Sequence, residues 1–248
     1  MSSNIGVMGH PIGHTKSPVF QQAGLDELGI AETFEAWDVA PDELEEKVTT
    51  FRATGFLAAC VTLPHKQAVI PLVDELTEAA EAVGAVNWIF NRDGKLVGHN
   101  TDGTGFLRAL KEKTGFDPAG VDAVVFGAGG AARAIVYALK LAGIARLTIA
   151  NRTVGKAQAL ASEFSEGRFK PDAIGLSRDE LANCAPYAQL LVNTTSLGMA
   201  GGPAEMATPI LADMISADAL GYDAVYAPPM TKFLREVENA GATSAGGM

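Results

Sequence analysis

The chain has 248 residues, 48% of them hydrophobic and only 7% aromatic, with 27 glycines and a formal net charge of −10 at pH 7. That length holds one large domain or two modest ones, and the Ala- and Gly-rich apolar usage suits packed α/β layers better than a β-sandwich. The acidic balance argues against nucleic acid or an anionic membrane as partner, and it requires any anionic ligand to be captured by local donors rather than by the overall field.

Residues 5–9 form a short apolar run ended by Pro11 and Gly13, which predicts a first strand. Ser17-Pro18 reads as an N-cap followed by proline at the first helical position, opening a helix to about residue 28. A strand is expected over 34–39. A second helix opens at Pro41, with Asp42 and Glu43 in its first turn where the helix dipole favours them. Residues 56–62 read as a buried strand stopped by Pro64. Two further strands, 85–90 and 96–99, flank the hairpin signal Asn91-Arg92-Asp93-Gly94. The first hundred residues are thus a mixed α/β unit.

Beyond Asp102 the pattern becomes more regular. A helix is expected over 104–113, a linker over 116–120, and a strand over 123–126 that runs straight into a glycine turn. A small-residue helix over 131–141, a strand over 146–150, a helix over 156–164 and a strand over 190–193 follow. Strand, tight turn, helix, strand is the βαβ pattern of a dinucleotide-binding fold. A final helix is expected over 231–240.

Gly127-Ala128-Gly129-Gly130-Ala131-Ala132 has the spacing that this fold uses at its phosphates. The first glycine makes the turn, the second lets backbone approach a pyrophosphate, and the small residue at 132 lets helix pack on strand. Free N–H groups at the helix start then bind the phosphates. At the end of the next strand stand Asn151, Arg152 and Thr153, with Lys156 one turn later and no carboxylate among them. An acidic residue there would take the ribose hydroxyls of NAD, whereas cationic groups accommodate the 2′-phosphate of NADP. NADP is therefore the expected cofactor.

Reducing a ketone requires a hydride carrier and a group that protonates the oxygen. Lys66 can serve if burial or neighbours bring its pKa towards neutrality, and a carboxylate such as Asp102 would hold the ammonium or bind a substrate hydroxyl. Taken alone, Asp102 could equally be the N-cap of its helix, and Lys66 a surface lysine after Pro64.

The wider pattern decides between these. Pro11-Ile12-Gly13-His14-Thr15-Lys16-Ser17-Pro18, Val61-Thr62-Leu63-Pro64-His65-Lys66, Gly84-Ala85-Val86-Asn87 and Asn100-Thr101-Asp102-Gly103 occur in this order. The glycine turn, Asn151-Arg152-Thr153, Asn193-Thr194-Thr195-Ser196-Leu197-Gly198-Met199 and Asp223-Ala224-Val225-Tyr226-Ala227-Pro228 continue it. Together they resemble the shikimate dehydrogenase family over essentially the whole chain.

The resemblance implies an N-terminal mixed-sheet substrate domain, 1–101, and a C-terminal Rossmann-type NADP-binding domain, 102–248, with a cleft between them. It implies reversible NADPH-dependent reduction of 3-dehydroshikimate to shikimate, in the pathway to the aromatic amino acids. Carried over residue by residue, Lys66 and Asp102 match the catalytic pair. Thr15 and Ser17 match the hydroxyls that bind the substrate carboxylate, and Thr62, Asn87 and Tyr226 match the substrate pocket. Gly127, Ala128, Gly129, Gly130, Ala131, Asn151, Arg152, Thr153, Lys156, Thr195, Ser196 and Met199 match cofactor-binding positions.

Some positions depart from the family pattern. Thr15 stands where Ser is common, Cys60 precedes Val61-Thr62 where a substrate-contacting Asn is usual, and Trp88 follows Asn87 where Thr is commonplace. A thiol is a far weaker hydrogen-bonding group than an amide. These changes lead to an expectation that the preferred substrate could shift towards quinate or an aminoshikimate-like relative. Family members usually continue past a Gly-x-Gly-Met segment into a helix with a substrate-binding glutamine, whereas this sequence ends at Gly246-Gly247-Met248. The expectation is lowered stability or weaker substrate binding, at the extreme a nucleotide-binding remnant with little turnover.

Cys60 and Cys184 have neither metal-ligand spacing nor a disulfide framework, and no signal peptide or membrane-length apolar run is seen. The expectation is a cytoplasmic enzyme without a metal, monomeric or homodimeric, acting on a small anionic hydroxy acid.

Overall fold

A computed structural model describes residues 4–13, 15–202 and 204–247. His14 of the first motif and Met248 at the end of the sequence lie outside the described residues. The chain divides into two compact units, Met1–Thr101 and Asp102–Met248.

The first unit contains β1 (Ile5–Gly9), α1 (Ser17–Glu27), β2 (Phe34–Asp38), α2 (Leu44–Thr50), β3 (Ala58–Val61), β4 (Glu75–Leu76), α3 (Glu78–Val83), β5 (Trp88–Arg92) and β6 (Lys95–His99). Its sheet has the order β2-β1-β3-β5-β6-β4. β1 pairs parallel with β2 and β3, whereas β5 pairs antiparallel with β3 and β6, so the sheet is mixed as expected. Alternation along the strands divides the core. Met8, Ala59, Val61, Ile89 and Leu96 face one buried cluster, and Ile5, Val7 and Phe34 face the other.

Four local expectations are adjusted. Ser17 is the first helical residue, with Lys16 at the cap position and no side-chain cap. Its hydroxyl instead accepts from Thr15 Oγ1 at 3.1 Å, which removes it from capping. The segment at Pro41 opens as a 3₁₀ turn, Pro41–Glu43, before α2 begins. The β5–β6 turn is only Asp93-Gly94, both with positive φ, because Arg92 still pairs with Lys95. That is the two-residue hairpin that Asp-Gly favours. Residues 85–87 precede β5 rather than extending it.

The second unit contains α4 (Asp102–Thr114), β7 (Asp122–Phe126), α5 (Gly130–Leu141), β8 (Arg146–Ala150), α6 (Val154–Phe164), β9 (Asp172–Ile174), α7 (Arg178–Leu181), β10 (Leu190–Asn193), β11 (Leu220–Asp223), α8 (Lys232–Asn239) and β12 (Thr243–Gly246). All its strands run parallel in the order β9-β8-β7-β10-β11-β12. Numbered within the unit this is 3-2-1-4-5-6, the doubly wound Rossmann order. A parallel sheet is covered on both faces, which is why its strands read as continuous apolar runs. Ala123, Val125, Leu147 and Ile149 pack under α4, α5 and α6, while Val124, Phe126, Leu191 and the α8 residues Phe233 and Val237 fill the opposite face. Each fully buried side chain of the Val, Leu, Ile or Phe kind contributes about 1.5–3 kcal/mol.

The order of strands reverses between β7 and β10. The crevice beyond their carboxyl ends is where doubly wound sheets bind ligands. The glycine turn follows β7, and the segment 194–199 follows β10.

Candidate active site

In the first unit, the candidate substrate residues gather around the ends of β1, β3 and β5. The Thr62 amide donates to Met8 O at 2.9 Å, fixing the end of β3 beside β1. The next turn is returned to the β5 side by two backbone bonds. Val86 N donates to Lys66 O at 2.7 Å, and Val61 N donates to Asn87 O at 2.8 Å. His65, 1% exposed, anchors the turn from beneath through Nε2 and Val39 O at 2.7 Å. Lys66 is half-buried on this tethered turn.

Asn87 is buried and bonded in both senses to one residue. Its Nδ2 donates to Thr101 Oγ1 and its Oδ1 accepts from Thr101 N, each at 2.9 Å. At the start of α1, Thr15 Oγ1 donates to Ser17 Oγ and accepts from Ser17 N at 3.2 Å, so the two hydroxyls form one small polar group. Cys60 and Trp88 face each other across the β3–β5 ladder, half-buried against the cluster of Ile5, Val7, Ile12, Leu25 and Phe34. Packing against this cluster therefore accounts for much of their surroundings.

In the second unit, Asp102 is the first residue of α4 and the acidic group of its first turn. α4 lies close on α5 because a Cβ at Gly103 would sit 2.7 Å from Ala134 O, so no larger residue fits there. The small residue fixes the start of α4 against the helix that leaves the glycine turn.

The glycine turn has the geometry of a phosphate cradle. Gly127 holds φ at 114°, and a Cβ there would fall on Thr194 Oγ1. Gly129, at the N-cap of α5, has open space where a Cβ would point. No side chain caps α5, and its first turn holds no acidic residue. An uncapped N-terminus with an open approach suits a pyrophosphate. Ala132 is fully buried, consistent with close helix–strand packing. Arg133 turns away to pair with Glu163 of α6, through Nη1–Oε2 at 2.8 Å and through Nη2–Oε1, which makes it an interhelical tie.

At the end of β8, Asn151 Nδ2 donates to Thr153 O at 2.9 Å, shaping the turn into α6. Arg152, Thr153 and Lys156 are exposed, and neither cation joins an ion pair among the described residues. Two uncompensated positive groups one helical turn apart, with no carboxylate in the turn, fit a 2′-phosphate.

The segment after β10 is built around residues that sequence reasoning quoted but gave no role. Asn193 and Asp223 are both fully buried. Asn193 Nδ2 donates to Asp223 Oδ1 at 3.0 Å, while its Oδ1 accepts from Thr195 N at 3.1 Å and from Thr195 Oγ1 at 2.7 Å. Thr195 Oγ1 in turn accepts from Leu197 N at 3.2 Å, and Met199 N donates to Ser196 O at 3.2 Å. Asp223 also accepts from Val225 N at 2.9 Å and from Thr231 Oγ1 at 2.5 Å. Burial pushes the Asp223 carboxyl up to about 6, against the lowering effect of these donors. Tyr226, half-buried, follows Val225 directly. The available signal was a polar residue ending each of two apolar strand runs, Asn193 after Leu190-Leu191-Val192 and Asp223 after Leu220-Gly221-Tyr222.

Among the described residues no group of His, Cys, Asp and Glu is placed to hold a metal, and no helix is long and apolar enough to cross a membrane.

Comparison with known proteins identifies the family. Residues 7–89 match the model of the shikimate dehydrogenase substrate binding domain, and residues 109–198 match that of shikimate / quinate 5-dehydrogenase. A shikimate dehydrogenase (NADP(+)) of Methanopyrus kandleri is 45% identical over 98% of this chain and 84% of its own length. The crystal structure of shikimate 5-dehydrogenase from Thermus thermophilus, in complex with NADP(H) and shikimate, superposes with a TM-score of 0.85 at 36% identity, covering 98% of this chain and 86% of that one. The enzyme from Listeria monocytogenes, in complex with shikimate and NAD, gives 0.86 at 34% identity, with the same two coverages. With both family models matched in order and near-complete relatives at this identity, the chain belongs to the shikimate dehydrogenase family.

Proposed function

We propose that this protein catalyses the reversible NADPH-dependent reduction of 3-dehydroshikimate to shikimate. The observation that carries the reading is the 45% identity to an NADP-dependent shikimate dehydrogenase across 98% of the chain. The phosphate cradle at Gly127 and the exposed cations at Arg152 and Lys156 support it. In this reading residues 1–101 bind substrate and residues 102–248 bind NADP.

When bound, the nicotinamide supplies the hydride that reaches the carbonyl carbon. Lys66 gives its proton to the carbonyl oxygen and, in the oxidative direction, takes it back. Asp102 accepts a hydrogen bond from a substrate hydroxyl. Thr15 and Ser17 hold the substrate carboxylate with neutral hydroxyls, which suits an anion in an acidic protein. Thr62, Asn87 and Tyr226 read the ring hydroxyls. A polar site of this kind discriminates because an analogue lacking a hydroxyl leaves buried groups unpaired.

On the cofactor side, the backbone of Gly127, Ala128, Gly129, Gly130 and Ala131 receives the pyrophosphate. Asn151, Arg152, Thr153 and Lys156 take the adenosine 2′-phosphate, and Thr195, Ser196 and Met199 line the nicotinamide end. Cys60 and Cys184 form no disulfide, in keeping with a cytoplasmic enzyme.

The test is a panel of shikimate and quinate against NADP and NAD, followed by the absorbance of the reduced nicotinamide. Highest kcat/KM with shikimate and NADP is expected. A preference for quinate with NAD would overturn the assignment, and NADP binding without turnover of either acid would point to a non-catalytic family member.

A further inference from the structure

The proposed mechanism gives no task to Asp223, a buried ionisable group. Asp223 stands at the carboxyl end of β11, next to β10 at the crevice of the sheet, and is fully buried. Three donors from three different segments converge on it. They are Asn193 Nδ2 from the end of β10, Val225 N from the following turn and Thr231 Oγ1 from the start of α8.

Two of these donors lead directly to candidate site residues. Because Asp223 takes the Nδ2 of Asn193, the Asn193 amide is held with its oxygen facing Thr195, where it accepts both the backbone N–H and the hydroxyl. A neutral or rotated partner at 223 would release that orientation, since an amide side chain can flip its donor and acceptor ends. Because Asp223 also takes the Val225 amide, it fixes the backbone immediately before Tyr226. Thr231 serves a separate purpose. Its hydroxyl accepts from Leu234 N at 3.2 Å as the cap of α8 while donating to Asp223, so the network is braced on a helix.

We propose that Asp223 is a positioning residue that, through Asn193, sets the Thr195–Met199 turn against the cofactor and, through Val225, sets Tyr226 against the substrate. The proposal rests on the assignment of Thr195 and Tyr226 to those two sites. It gives one carboxylate control of two binding steps, which a helix-capping role alone does not.

The test is a double-substitution cycle on the full chain, with NADPH affinity read by fluorescence titration and folding by circular dichroism. Asp223→Asn keeps the shape and removes the charge, and Thr195→Val removes the end of the relay. Asp223→Asn is expected to raise the NADPH Kd about 10-fold and Thr195→Val about 5-fold, with the double variant no weaker than the weaker single, since groups in one network are not additive. Asp223→Asn should also raise the KM for shikimate several-fold, an effect that Thr195→Val lacks. Should Asp223→Asn fail to fold, Asn193→Ser enters the same cycle, keeping Asp223 and removing only the relay.

Multiplying effects in the double variant, or NADPH affinity in Asp223→Asn or Asn193→Ser within about twofold of wild type, overturns the proposal, because coupled contacts shift binding by more than that. A wild-type chain that binds NADPH but does not oxidise shikimate defeats the activity reading alone. Unchanged NADPH affinity in the variants defeats this inference alone.

Discussion

Asn87 and Thr101 exchange two hydrogen bonds of 2.9 Å, side-chain amide to hydroxyl and backbone amide to side-chain oxygen. The residue preceding Asp102 is thereby locked to a side chain that also belongs to the candidate substrate site. Asn87→Ala is expected to leave the Thr101 amide and hydroxyl without these bonds, costing about 1–3 kcal/mol of stability. Thermal melts and kcat/KM for shikimate check this. A variant with wild-type melting temperature and activity would mean that the pair is dispensable.

For the proposed acid–base pair, Lys66→Ala and Asp102→Ala are each expected to lose about 10²–10⁴-fold in kcat, the range of a general acid–base group. NADPH affinity should hardly change in either. Steady-state rates beside a cofactor titration separate the two effects, and a near-normal kcat in one variant would reassign that residue to a structural role.

Arg152→Asp places a carboxylate where a phosphate is expected. NADP affinity should fall by about 10–100-fold, the worth of a charge-assisted contact, while NAD affinity holds or improves. Equal losses for the two cofactors would show that Arg152 does not read the phosphate.

Asp223 makes stability depend on pH in an unusual sense for a carboxylate. Its folded pKa is raised from 3.8 to about 6, so the folded state binds the proton more tightly than the unfolded chain does. The cost of the buried anion is fully present above about pH 6, shrinks as pH falls, and is gone below 3.8. By linkage the span corresponds to about 3 kcal/mol. Melts of wild type and Asp223→Asn at pH 8 and pH 5 should show wild type gaining on the variant upon acidification. A constant difference would place the Asp223 pKa outside this window.

Much of the second unit was legible because each cue agreed with its neighbours. An apolar run, a glycine turn and a small-residue helix fix both β7 and α5, and their spacing fixes the cradle. Less was legible where strands are short or carry little periodicity. β4 has two residues and β9 three, too few to show alternation. β12 (Thr243–Gly246) is an edge strand of small residues that reads as a loop, and is held by pairing with β11 and by Lys113 Nζ donating to Gly246 O at 2.8 Å. Among the proposed site residues, Lys66, Asn87 and Asp102 stood out by chemistry and motif. The role of Asn193 and Asp223 did not, because the two lie 30 residues apart and meet only when β10 and β11 pair.

On the proposed cofactor assignment, the turning of Arg133 towards Glu163 would divide the work of cofactor binding between two kinds of positive potential. With that guanidinium paired to Glu163, a pyrophosphate at the glycine turn would meet backbone N–H dipoles at contact range, which mobile ions screen poorly. The exposed cations Arg152 and Lys156 face solvent, where the screening length is about 8 Å at physiological ionic strength. Added salt is therefore expected to erode the preference for NADP over NAD sooner than it weakens dinucleotide binding as a whole.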